Sequence, residues 1–137
     1  MKQEFSTAWK SSVQPRKQRK YRYNAPYHTL TTFMSITLNK VLRQKQGKRN
    51  VPVRTGDKIK ILRGTFKGKT GHIEKVDKKQ GKVFVTGIEQ TRKDGNKNLI
   101  PFEPSNLQIT ELNLKDKRRI KEKKPEEQSG KETPEKA

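Results

Sequence analysis

The chain has 137 residues, and its 34 Lys or Arg against 14 Asp or Glu leave a formal net charge of +20 near neutral pH, a balance typical of proteins that bind a polyanion. Only 27% of the residues are hydrophobic, which excludes a large enzyme scaffold and predicts one small domain with extended or disordered arms. The absence of Cys excludes disulfides, thiolate metal sites and thiol nucleophiles.

Residues 1–38 are predicted to form a basic, extended arm. Residues 1–50 hold 12 basic residues and one acidic residue, and the run PRKQRKYRYNAPY has little apolar surface around which to fold. We expect its basic side chains to bind phosphates and its aromatic rings to stack on unpaired bases or riboses. A solvated charge run or a nuclear-localisation-like run is the plainer alternative. The RNA-binding candidates of the arm are Arg16, Lys17, Arg19, Lys20, Tyr21, Arg22, Tyr23 and His28.

Residues 39–50 are predicted to contain a short helix followed by a linker. Asn39 is a favourable N-cap, and Gly47 can end the helix in the left-handed conformation. Val41 and Leu42 are expected to pack on the domain that follows. The candidates that extend the basic surface here are Arg43, Lys45, Lys48 and Arg49.

Residues 51–114 are predicted to form a small closed barrel. From Val51 onward apolar and polar residues alternate with the period of a half-buried strand. Turn signals, including Asp94-Gly95, divide this part into about five short strands, enough for a barrel and too few for a sandwich. The loop around that turn contributes Arg92 and Lys93 as candidates, and residues 115–137 are expected to form a charged, largely disordered tail.

The most specific signal is the glycine-spaced text TGDKIKILRGTFKGKTGHI at residues 55–73. Glycines so close together in a β-rich stretch let the backbone adopt positive φ or approach a phosphate-ribose chain closely. Basic residues of the same loop can neutralise that chain, although tight barrel turns alone would also explain the glycines. The candidates in this loop are Arg63, Gly64, Lys67, Gly68 and Lys69.

This text resembles the KOW motif, with a Gly-Asp turn, alternating aliphatics, a basic residue and Gly, an aromatic residue, and further Gly and basic residues. In that family the motif opens an SH3-like barrel that binds RNA or protein. The resemblance implies an all-β fold, a small SH3-like barrel of about five strands, with the basic arm and short helix ahead of it and the disordered tail behind it.

A wider resemblance covers roughly residues 14–120. Ala25-Pro26, His28, Leu42-Arg43, Arg49, Pro52-Val53-Arg54, Gly56-Asp57 and Pro104-Ser105-Asn106 are similar to the archaeal and eukaryotic family of large-subunit ribosomal protein twenty-four, called twenty-six in eukaryotes. The match adds Arg54, Ser105 and Asn106 to the RNA-binding candidates. Two positions depart from the family pattern, Thr29 and Glu103, and a carboxylate at Glu103 would repel phosphate at that turn.

This resemblance implies a structural constituent of the large ribosomal subunit that binds ribosomal RNA. Its implied partners are the first domain of the large-subunit RNA and neighbouring large-subunit proteins, near the peptide exit tunnel and early in assembly. A KOW-type transcription-elongation factor, a transient assembly factor and a nonspecific DNA-compacting protein are the alternatives. Residues 1–50 are too short and too basic for the mixed α/β domain that precedes the barrel in elongation factors.

Nothing in the sequence indicates a catalytic, cofactor or metal site. His28 and His72 have no cysteine or carboxylate cluster near them to complete a zinc site. No serine has a histidine partner at a recognisable spacing, and no phosphate-binding P-loop text occurs. We therefore expect no enzymatic activity, no cofactor and no small-molecule substrate. No stretch reaches the ~18 apolar residues of a membrane helix, and the first residues lack the apolar segment of a signal peptide, so we expect a cytoplasmic protein without a membrane partner.

Overall fold

The computed structural model describes residues 5–116 and 118–120, and within them a mixed sheet of seven strands carries the fold. The strands are β1 (Ser35–Leu38), β2 (Asn50–Pro52), β3 (Lys58–Ile61), β4 (Thr70–Asp77), β5 (Lys82–Thr91), β6 (Lys97–Phe102) and β7 (Leu107–Glu111). The helices are α1 (Pro15–Asn24), α2 (Tyr27–Phe33) and α3 (Lys40–Gln46), with 3-10 turns at Thr7–Trp9 and Pro104–Asn106.

The strands lie in the order β2-β1-β7-β3-β4-β5-β6, and each pair is antiparallel except β1 with β7. Register shifts in the β3–β7, β4–β5 and β5–β6 pairings mark irregularities of the kind that bend a sheet. The arrangement confirms the predicted small β-barrel class. The described strands number seven rather than about five, and β1 lies outside the segment predicted to form the barrel.

The core follows from the alternation that the sequence shows. Ile59 and Ile61 of β3 are fully buried, as are Leu107 and Ile109 of β7, while the residues between them face outward at least in part. Burying a side chain of this size stabilises the fold by about 1.5–3 kcal/mol. The same period-two pattern sets the register, since a slip of one residue would turn every aliphatic side chain toward water.

Two helices, α1 and α2, lie in the segment predicted as an extended arm, so that part of the prediction is wrong. Pro15 occupies the first turn of α1, where its missing N–H costs nothing, and the Arg, Lys and Gln residues that follow are good helix formers. Ala25 ends α1 with an extended ψ of 135° because it precedes Pro26, and α2 begins directly afterwards. An aromatic contact between the two helices replaces the aliphatic core that the composition lacks.

β1 joins the sheet although the sequence analysis assigns it to the arm. Ile36 is opposite Val51 of β2, and Leu38 is opposite Ile109 of β7. The next residue begins the predicted short helix, where the Asn39 side chain accepts a hydrogen bond from the Lys40 N–H at 2.7 Å. Gly47 ends α3 with a φ of 60°, so both predicted caps are confirmed.

The predicted disordered tail begins at residue 115, but Arg119 is held against the barrel. Its guanidinium makes a bidentate ion pair with Asp57, and the two side chains are 2% and 0% exposed. The remainder of the predicted tail, residues 117 and 121–137, lies outside the described residues.

Candidate nucleic-acid interface

The loop between β3 and β4, residues 62–69, is closed by backbone hydrogen bonds, and two of its glycines face free space. We call it the KOW loop. The Gly68 N–H donates to the Ile61 carbonyl at 2.8 Å, and the Lys67 N–H donates to the Gly64 carbonyl at 3.1 Å. Gly64 and Gly68 have φ values of 96° and 87°, which a side chain rarely adopts. No atom beyond their chain neighbours lies within 4 Å of where a Cβ would stand, so a bound chain can approach this backbone closely.

The other two glycines of the motif have structural roles. A Cβ on Gly71 would stand 2.6 Å from Cγ1 of Val85, so the close approach of β4 to β5 requires glycine there. Gly56 has a φ of 84°, and a Cβ there would stand 2.7 Å from Nδ2 of Asn113. The motif therefore combines two glycines that face open space with Gly71, which strand packing requires, and Gly56, whose positive φ favours glycine.

Phe66 anchors the KOW loop to the barrel. Its ring packs edge-on against Phe102 at a centroid distance of 6.1 Å, and Nζ of Lys69 lies 5.1 Å from its centroid. The Leu62 N–H donates to the Asn106 carbonyl at 2.8 Å, which brings the Pro104–Asn106 turn beside the loop. The exposed candidates Arg63 and Lys67 thus lie on a loop that is fixed to the barrel, next to the predicted Ser105–Asn106 site.

The two candidate tyrosines of α1 have different surroundings. Tyr21 packs between Phe5 and Phe33, with ring centroids 5.0 and 6.0 Å away, so its ring holds the arm together. Tyr23 is 90% exposed and can stack on a base. The remaining candidates of the two helices are Arg16, Arg19, Arg22 and His28, which are exposed, and Lys17 and Lys20 on α1.

A cleft of about 600 Å³ separates these helices from the barrel, and we call it the arm–barrel cleft. It unites candidates from distant parts of the chain, namely Arg22 and Tyr23 of α1 with Ser105. Its other wall is the β4–β5 turn, which contributes Lys78, Lys79 and Lys82. These lysines are not among the predicted candidates, because the text DKKQGK indicates only a hairpin turn and the composition of the facing arm predicts an extended chain.

The carboxylate of Glu103 should repel RNA phosphates less than its departure from the family pattern predicts. Its carboxylate accepts a hydrogen bond from Nζ of Lys82 at 3.0 Å, so a neighbouring cation offsets its charge. Beside this pair, Asp77 accepts hydrogen bonds from the backbone N–H groups of Lys79 and Gln80 at 3.0 and 3.1 Å. That local turn fixes the backbone from which the basic side chains project.

Several other candidates lie farther along the surface, and three of them have intramolecular partners; the Arg92 guanidinium donates to the Asn98 side-chain oxygen at 2.6 and 2.7 Å. Nε of Arg43 donates to the Leu38 carbonyl at 2.7 Å, and Arg54 forms an ion pair with Asp116. The exposed candidates without a role in the cleft or the KOW loop are Lys45, Lys48, Arg49, Arg92 and Lys93. Some cations of the predicted set are therefore exposed and also take part in intramolecular contacts, as Arg54 and Arg92 do.

Two exposed carboxyl groups are kept charged by basic neighbours. The hydrogen bond from Lys58 and the charge of that ammonium hold the pKa of Glu111 below its ordinary value of 4.5. The hydrogen bond from Arg54, followed by the one from the Arg118 N–H, holds the pKa of Asp116 below 3.8. Both acids therefore stay ionised to a lower pH than free carboxyl groups would, and each acts as a counter-charge to its basic neighbour.

Residues 5–116 and 118–120 contain no group of three or more His, Asp or Glu side chains placed to hold a metal ion. His28 is exposed on α2, and His72 is exposed on β4 opposite Lys58. No helix within that part of the chain has the length and apolar character needed to cross a membrane.

Comparison with known proteins covers both the helical arm and the barrel. The family of eukaryotic ribosomal proteins L26 and their archaeal counterparts matches residues 12–124. The large ribosomal subunit protein uL24 of Methanocorpusculum labreanum is 49% identical over 110 residues, which span 80% of this chain and 91% of the relative. The chain belongs to this ribosomal protein family. The match includes α1, the KOW loop and the Pro104–Asn106 turn, so it spans the three parts of the candidate interface.

Proposed function

We propose that this protein is a structural constituent of the large ribosomal subunit and binds ribosomal RNA without catalysing a reaction. The observation that carries the proposal is the family match over residues 12–124, which contains an open, glycine-lined loop flanked by exposed cations. Its partners would be the first domain of the large-subunit RNA and adjacent large-subunit proteins, in cytoplasmic ribosomes. Binding near the peptide exit tunnel and early in assembly belongs to the same proposal.

We assign a separate role to each predicted segment, and these roles are part of the proposal, as are the predicted RNA-binding residues. Residues 51–114 would supply a rigid platform, residues 1–38 and 39–50 would supply basic surface beside it, and residues 115–137 would be a charged tail. Phosphate contacts position such a protein but carry no sequence information, so specificity has to come from RNA shape and from unpaired bases.

The proposal predicts how strongly the affinity for RNA should depend on salt concentration. If six to ten cations displace counterions, affinity should fall by roughly 10³- to 10⁵-fold between 50 and 200 mM salt, with the duplex DNA value as the upper guide. Contacts to single strands give a shallower slope.

Sedimentation of a cell lysate through a sucrose gradient, before and after a wash at about 0.5 M salt, tests the proposal. We expect the protein to remain with the large subunit at near one copy per particle. Loss to the top of the gradient would favour a transient assembly factor, and co-migration with RNA polymerase would favour an elongation factor. Either result would overturn a permanent ribosomal role.

A further inference from the structure

We propose that the arm–barrel cleft binds a single-stranded RNA segment, with one unpaired base stacked on its aromatic side chains and the flanking phosphates on its basic side chains. This inference rests on the proposed function and specifies where RNA in single-stranded form would be held. The cleft has about 600 Å³, within the roughly 300–1,000 Å³ typical of ligand sites.

The rim of the cleft carries a surplus of positive charge. Arg22 stands on one wall and Lys78, Lys79 and Lys82 on the other, while Glu103 is the acidic residue among the lining side chains. The ion pair between Lys82 and Glu103 cancels one charge of each sign. Three cations are then left to face an occupant, which suits a polyanion.

Two of these cations are already oriented by aromatic rings. The guanidinium of Arg22 lies 5.4 Å from the centroid of Phe33, and Nζ of Lys78 lies 4.2 Å from the centroid of Tyr27. A cation over a ring face keeps its charge and gives up rotational freedom before the ligand arrives. Less ordering is then needed when a phosphate binds.

The lining of the cleft includes apolar and aromatic side chains, which a phosphate chain alone does not require. Leu30, Phe33 and Tyr23 line it, and Tyr23 has 90% of its surface exposed. Stacking of a nucleobase on the rings of Tyr23 and Phe33 tolerates any sequence, because every base has a π-face. Paired bases in an A-form duplex are already stacked on one another, so these rings favour a single-stranded occupant.

An acidic peptide shares the charge of RNA and is the competing occupant. The exposed ring of Tyr23 beside cations favours RNA, because the planar base gains stacking that carboxylate side chains cannot provide. Binding by either arm or barrel alone is disfavoured, since the two walls come from residues 22–35 and 78–105.

The test measures fluorescence anisotropy of a labelled eight-nucleotide oligouridine with the full chain. Tyr23→Ala should weaken binding about 5- to 20-fold, whereas Tyr23→Phe, which keeps the ring, should stay within about 2-fold. Lys79→Ala should cost more affinity than Lys60→Ala, a charge-matched control at an exposed position of β3 outside the cleft. Equal losses for the two lysine variants, or no loss for Tyr23→Ala, would overturn the inference.

A crosslinking measurement locates the occupant directly. An oligouridine containing 4-thiouridine, irradiated with the protein and analysed by mass spectrometry, should crosslink to peptides containing Tyr23, Phe33 or Met34. Crosslinks confined to the KOW loop would refute the cleft as the site. Displacement of the oligouridine by an equal concentration of octaglutamate would also refute it, in favour of an acidic peptide.

The inference and the proposed function fail in different ways. If the full chain sediments with large subunits while the Tyr23 and Lys79 variants bind oligouridine like the wild type, the cleft inference alone is overturned. If the oligouridine results are as expected and the protein is absent from large subunits, the ribosomal role is overturned and the cleft remains an RNA site.

Discussion

Breaking the buried ion pair between Asp57 and Arg119 should destabilise the protein far more than breaking an exposed one. Both carboxylate oxygens of Asp57 bond the Arg119 guanidinium, and they also accept the N–H groups of Arg54 at 3.0 Å and Asn113 at 2.9 Å. The guanidinium in turn donates to the carbonyls of Pro52 and Asn113. Arg119→Met would leave a carboxylate that is 0% exposed without a counter-charge.

The expected loss in the free energy of unfolding is about 3–5 kcal/mol, the cost of an uncompensated buried charge. The pair between Lys97 and Glu89 provides the control, because its side chains are 71% and 38% exposed and its atoms are 3.8 Å apart. Lys97→Met should cost less than about 1 kcal/mol. For a domain of this size the buried loss corresponds to a fall in Tm of at least about 10 °C.

Urea unfolding followed by circular dichroism measures both variants, together with Asp57→Asn and the double variant Asp57→Asn/Arg119→Met. The double variant carries neither charge, so its loss should be smaller than the sum of the two single losses. The reasoning would be refuted if Arg119→Met unfolded within about 1 kcal/mol of the wild type, the range of a surface pair. Additive single losses would likewise show that the two groups act independently.

Three further outcomes are expected. Gly71→Ala should lower the free energy of unfolding by about 1–3 kcal/mol, because its Cβ would collide with Val85; unchanged urea midpoints would contradict this. The lowered pKa of Glu111 contributes stability that is complete above its unfolded value of 4.5 and is lost as pH falls through the folded value. Glu111→Gln lacks this titrating group, so its Tm, measured from pH 6 to 2.5, should fall less steeply than that of the wild type. Arg63→Ala should lower the salt slope of RNA binding by about one, and Arg54→Ala, whose cation pairs with Asp116, should lower it by less; equal slopes would show that this pair opens on binding.

The barrel could be predicted from the sequence because its determinants are local. Alternating aliphatics mark β3 and β7, and Gly47 and Asn39 act on the backbone within one turn of their own position. The helical arm could not be predicted from composition, because low hydrophobicity argues against a core but does not exclude a helix made of good helix formers. The contact of Tyr21 with Phe5 and Phe33 holds the helices of the arm together. It links residues 16 and 12 positions apart and has no periodic signature in the sequence.

The parts of the candidate interface that depend on distant pairing could not be predicted. Asp57 and Arg119 are 62 residues apart, and each stands among charged neighbours that give no sign of its burial. The arm–barrel cleft requires the β4–β5 turn to face α1, a relation that follows from tertiary packing alone. The KOW loop candidates could be predicted, since glycine and basic residues occur together in one short stretch.

The acidic residues explain how a chain with a charge of +20 can fold and still present cations to a partner. Within the described residues, five carboxylates each pair with a basic side chain: Asp57, Glu89, Glu103, Glu111 and Asp116. These pairs connect strands, turns and the segment after β7, so the acidic side chains form intramolecular ion pairs with part of the basic charge. Arg16 and Arg19 of α1 and Arg63 and Lys67 of the KOW loop are exposed charges of one sign, and their mutual repulsion in the free protein costs stability. Binding of a polyanion removes that repulsion, and because only the folded chain aligns these cations, RNA should raise the apparent stability as its concentration rises.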